Sequence, residues 1–172
     1  MPSKTDELIS QGMGKAKAMK GALKGLTGVF RTLMEQHGKA AGLLHRIKAA
    51  DDVEKRAELW ESVRAQLLAH ERAEIEVIYR ELHYDPRTRA IAEVHDREAS
   101  ELETTIKQLD ALSIGDGRWE ALFDRLLSAV EHHVSEEEGE MFPMAQDVFG
   151  KERAKALDGT FQDAFDAQLR MT

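Results

Sequence analysis

The 172-residue chain has no cysteine, only three prolines, and few aromatic residues, which make up 6 % of the total. Without cysteine there can be no disulfide, iron–sulfur ligation or thiol catalysis, so any metal must be held by histidine and carboxylate. The scarcity of proline and aromatic residues argues against a β-sandwich. There is no uncharged apolar run long enough to span a bilayer, and no signal-type stretch follows Met1. Neither membrane insertion nor secretion is expected, and the location reads as cytoplasmic.

The remaining composition fits one globular domain: 42 % hydrophobic, 33 % charged, formal charge −8. The charge is uneven. Residues 1–31 carry a net +4 and the rest −12. Glycines at 12, 14, 21, 25 and 28 lower helix propensity in this basic stretch, so residues 1–25 read as a mobile or weakly helical arm ahead of a domain spanning 26–172. With so acidic a body, no nucleic-acid partner is expected.

From Leu26 onward the apolar period is helical. One stripe runs Leu26, Phe30, Leu33, His37, Ala41, Leu44 and Ile47, with Asp51 or Asp52 able to cap the next helix. A second runs from Trp60 to Leu82 and stops at Tyr84-Asp85-Pro86, where Asp85 reads as an N-cap and Pro86 as the first helical residue. A third carries Ile91, His95, Leu102, Ile106 and Leu109; a fourth runs from Trp119 to Met141. A last helix covers roughly 151–170. Short links between long helices imply antiparallel neighbours, hence an all-α, up-down-up-down four-helix bundle with helical extensions at both ends.

Each of the four stripes is interrupted by a histidine: His37, His70, His95 and His133. Glu74 and Glu137 follow two of them by four residues, about 40° round the helix and one turn along, so both pairs face inward. A lone histidine on such a face is more often a hydrogen-bonded core residue. Six buried donors, however, carry a desolvation penalty that a shared metal centre relieves. Nitrogen and oxygen donors without sulfur suit Fe or Mn and, less selectively, Zn, and inward Glu and His at helical spacing build di-iron sites in bundles. Glu71, Glu98 and His45 are further candidates, Glu98 as an outer acceptor for a histidine N–H. His83, His132, Glu76, Glu136 and Glu138 read as solvent-facing, and Tyr79 and Tyr84 have no evident role.

These residues resemble the hemerythrin-like HHE cation-binding domains. The resemblance rests on Met34-Glu35-Gln36-His37, His70-Glu71-Arg72-Ala73-Glu74, Val94-His95-Asp96 and the closing string from His133 to Pro143, and extends over roughly residues 26–170. It implies two iron ions bridged by oxo or hydroxo, with His37, His70, His95 and His133 as terminal ligands and Glu74 and Glu137 as bridging carboxylates. The oxygen-carrying members place a second histidine one turn after that of the third helix, where this chain has Ala99, and use a shorter bridging aspartate on the fourth. The resemblance thus implies a protein that binds O2, NO or peroxide with an unidentified electron donor. The missing imidazole points alternatively to a peroxidase- or catalase-like enzyme or an iron donor for iron–sulfur repair. An iron-sensing regulatory bundle is a third reading.

Overall fold

In the computed structural model, which describes residues 2–172, every regular element is helical. Helix α1 spans Lys4–Leu23, α2 Val29–Ala49 and α3 Val53–Glu74. A π-helical segment, Ile75–Tyr79, and a closing turn, Arg80–Leu82, extend α3. Helix α4 is Arg89–Asp110 and α5 Gly117–Glu136, the latter prolonged by a second π segment, Glu137–Met141. Helix α6, Phe142–Leu169, follows directly and bends at Gly150, whose φ of 76° lies in the left-handed region. None of the described helices is long and apolar enough to cross a membrane.

Helices α2 to α5 form the antiparallel bundle, and their caps are written locally. Asp52 accepts from the backbone N–H groups of Glu54 and Lys55 at the start of α3, and Asp116 accepts from Arg118 at the start of α5. Asp85 does not cap α4. Its carboxylate turns to the backbone and guanidinium of Arg87, and α4 begins only at Arg89, because an extra turn separates Pro86 from the helix.

The arm, expected to be mobile or weakly helical, is a regular 20-residue helix folded back on α2. Glycines, read in α1 only as lowering helix propensity, permit the close approach. A Cβ on Gly14 would lie 2.7 Å from the Glu35 carbonyl oxygen, and one on Gly38 would lie 2.5 Å from that of Met13. Ser3 and Asp6 cap α1 reciprocally, and the buried Asp6 carboxylate also meets Arg46 at 2.7 Å and Lys55 at 2.5 Å. Burial opposes ionisation of Asp6, but Lys55, Ser3 and Arg46 outweigh it and hold the carboxyl below the usual range. A depressed carboxyl stabilises the fold above its unfolded pKa, about 3.9, and that contribution disappears as pH falls toward the folded value. The stability difference between the parent and Asp6→Asn is therefore expected to be widest near neutrality and to narrow progressively as pH falls below about 4, read by denaturant melts across pH. A constant difference would remove charge as its source.

The core has two apolar parts. One gathers Phe30, Leu33, Ile78, Phe142 and Phe161; the other gathers Leu44, Trp60, Ile106, Trp119 and Phe123. On α2 the break falls between Met34 and Leu43, on α3 between Leu68 and Ala73, on α4 between Ala92 and Leu102, and on α5 between Val130 and Met141. Each helix thus places its histidine in the same layer.

Candidate metal centre

In that layer the six stripe residues converge, all buried. Nε2 of His37 lies 3.2 Å from Glu137 Oε2 and 3.1 Å from Nε2 of His70, which is itself 3.3 Å from Glu74 Oε2. On the other side, His95 Nε2 lies 3.6 Å from Glu74 Oε2 and 3.4 Å from Glu137 Oε1, while His133 Nε2 lies 3.6 Å from Glu137 Oε2. Glu71, buried, approaches both His95 and His133 at 3.6 Å. Two groups whose donor atoms lie within 4.8 Å of one another result: His37, His70, Glu74 and Glu137, and Glu71, Glu74, His95 and His133. Glu74 belongs to both, and Glu137 touches histidines of both.

The outward ring nitrogens are held separately. His37 Nδ1 donates to Glu138 at 3.0 Å, His70 Nδ1 to Gln36 at 2.8 Å and His133 Nδ1 to Glu98 at 2.7 Å. A hydrogen bond at Nδ1 leaves the lone pair at Nε2 free to face inward, the usual arrangement around metal-bound imidazole. His95 is held differently, by a stacked Tyr79 ring with centroids 3.4 Å apart.

The donor set fits a metal. Most buried polar atoms lacking a hydrogen bond among the described residues are here: both Glu74 oxygens, both His95 nitrogens, Glu71 Oε2, Glu137 Oε2 and His133 Nε2. Protons alone distribute charge poorly over such a group. Burial, with the Glu137 and Glu71 charges, pushes the Glu74 carboxyl well up, and burial raises Glu71 to about 7. Burial drives His95 down to about 3. His133 rises to about 9 against its own burial, because Glu137, Glu71 and Glu98 favour its cation. Neutral acids beside charged imidazoles are a compromise that bound cations remove by satisfying all donors at once.

His45 is outside this constellation: it is exposed and lies 3.3 Å from Glu131, because it projects from a different face of α2. Glu98 stays outside too, as the acceptor for His133. His83 is half-buried against Asp96 at 2.9 Å rather than open to solvent. Ala99 is buried one turn after His95 and offers no donor.

Residues that the sequence left without a role here also take part. Tyr79 donates to Glu137 Oε1 at 2.6 Å. On an ideal α-helix it would lie about 140° from Glu74, but the i→i+5 segment inserts one residue and returns it to within about 40°. Another is Glu138, expected at the surface but buried because α1 covers it. Lys17 donates to its Oε1 at 2.6 Å and Lys24 to its backbone carbonyl at 2.9 Å. Lys17 thereby fixes the acceptor of His37. Lys17→Met is expected to weaken metal affinity roughly tenfold in chelator competition, with Lys17→Arg restoring most of it. Equal affinity in parent and Lys17→Met would reduce the contact to packing.

Above the layer a cavity of about 690 Å³ reaches His37, His70, Glu71 and His133 from the surface. No curated protein and no solved structure matches the chain. Residues 29–145, more than half of it and bearing every residue of both donor groups, match the Hemerythrin HHE cation binding domain. The match takes in the bundle helices and the whole His/Glu layer, and the chain belongs to the hemerythrin HHE family.

Proposed function

We propose that the protein binds two iron ions and uses them to bind a small oxidant or diatomic, O2, NO or peroxide. The observation that carries this is the pair of four-donor groups sharing Glu74, with Glu137 in contact with both. His37 and His70 would hold one ion, and His95, His133 and Glu71 the other, with Glu74 and Glu137 between them. Reduced iron would supply electrons and an open coordination position. The chain's own work is positional. Glu138, Gln36 and Glu98 keep three imidazoles aimed inward, Tyr79 donates a hydrogen bond to one oxygen of Glu137, and the apolar parts on either side of the layer hold the four helices in register.

Anaerobic titration with Fe(II) is expected to reach two ions per chain, followed by new charge-transfer absorption on exposure to O2 and a nitrosyl spectrum with NO. His70→Ala and Glu137→Ala should lower bound iron below two, whereas His83→Ala should not. Full stoichiometry in all three variants would sink the assignment.

A second reading, turnover of peroxide or release of iron to another protein, is favoured by Ala99 and Glu71. Carboxylate replaces imidazole in the second group, giving a more anionic, less oxygen-carrier-like donor set. Steady-state loss of hydrogen peroxide, or iron transfer to an apo cluster protein, separates it from plain binding.

A further inference from the structure

A diatomic needs little room: even a water molecule takes about 30 Å³ in the liquid. The cavity over the layer is about 690 Å³, within the range that encloses organic ligands. Its walls are apolar, with Leu44, Leu67, Leu127 and Val130 from the bundle and Phe165 and Leu169 from the end of α6. The small side chains of Ala40 and Ala41 on α2 leave it open. Its floor is polar, formed by His37, His70, Glu71 and His133.

The charged side chains that line it are already paired. Lys17 meets Glu138, Lys39 meets Glu35 at 2.7 Å, and His45 meets Glu131. The wall therefore offers no free countercharge to an ionic ligand. Moreover, Met13 and Lys17 of α1 and Phe165 and Leu169 of α6 lie outside residues 29–145, so the enclosure belongs partly to the extensions of this chain.

We infer that this cavity binds an uncharged, medium-chain aliphatic molecule ending in a single O–H group, the chain against the apolar wall and the O–H at the His/Glu floor. Only the orientation of the ligand rests on the reading of that floor as a metal centre. Glu71, on the floor, offers a carboxylate as acceptor for the O–H.

The test is calorimetric titration of the full chain, metal-free and Fe(II)-loaded under anaerobic conditions, with 1-hexanol, 1-octanol and 1-decanol. Affinity is expected to rise about fourfold for each added methylene until the cavity is full, since each buried CH₂ contributes about 0.8 kcal/mol. In the metal-free chain decanoate, decyltrimethylammonium and 1-methoxynonane should each bind at least fivefold more weakly than decanol. Ala40→Phe, which fills the cavity, and Leu169→Glu, which charges its wall, should each weaken decanol at least fivefold while iron stoichiometry is kept. Absence of a chain-length dependence, equal binding of the charged or ether analogues, or undiminished decanol binding in both variants would overturn the inference. Iron counted on the same samples separates the two claims. Two ions without decanol binding overturns the pocket alone; decanol binding without iron supports the pocket and overturns the metal reading.

Discussion

Glu74→Leu is expected to abolish metal binding altogether, from two ions per chain to none, and to make the metal-free protein more stable. Glu74 is the one residue common to both donor groups, so its loss strips each at once, whereas His37→Ala leaves the second group intact. In the metal-free chain Glu74 is wholly buried, both of its oxygens lack hydrogen bonds, and burial beside Glu137 and Glu71 pushes its carboxyl far up. Exchanging such a group for an apolar side chain of similar size removes an uncompensated penalty and is expected to add about 2 kcal/mol to unfolding stability. Elemental analysis and denaturant melts of apo protein measure both halves of the prediction. A destabilised apo Glu74→Leu would mean that packing, not charge, dominates the layer.

Gly28→Ala is expected to cost about 4 kcal/mol, far more than Gly25→Ala three residues earlier, at about 1 kcal/mol. Both glycines have positive φ, 52° and 79°. They differ in surroundings. A Cβ on Gly28 would sit 2.2 Å from the Ala154 carbonyl oxygen and 2.5 Å from Lys155 Cα, backbone of α6 that cannot turn aside, whereas Gly25 faces open space. Gly28 also opens α2, its carbonyl accepting from Arg31 and Thr32. Displacing α6 would withdraw Phe161 from His70, centroids 6.2 Å apart, so iron should also be held less tightly in Gly28→Ala. Thermal melts of the two variants give the comparison, and similar losses would mean that φ alone sets the cost.

The bundle and the inward histidines were legible because each signal lies in an unbroken α-helical period. His37, His70, His95 and His133 each stand where an apolar residue belongs, and a buried imidazole cannot be hidden by propensity. Tyr79 was illegible for the converse reason: its face depends on a π insertion, which side-chain periodicity cannot register. Glu138 and Lys17 were missed together. Glycine reads locally as a loss of helix propensity, and only the packing of α1 on α2 turns Gly14 and Gly38 into contact positions. At Pro86 the boundary was correctly marked but the cap was not, since the starting residue of α4 depends on a turn that places Thr88, rather than Asp85, before it.

The division of the core into two apolar parts bears on how the molecule opens. Four helices pass through a layer in which side chain meets side chain mainly through imidazole and carboxylate, so without cations little but helix stiffness and the outer clasps of α1 and α6 couples one end to the other. Each end is then free to behave as its own cooperative unit, and in the apo chain the amides of the waist are expected to exchange ahead of those within either apolar part. Cations bound there would join two separately breathing ends into one.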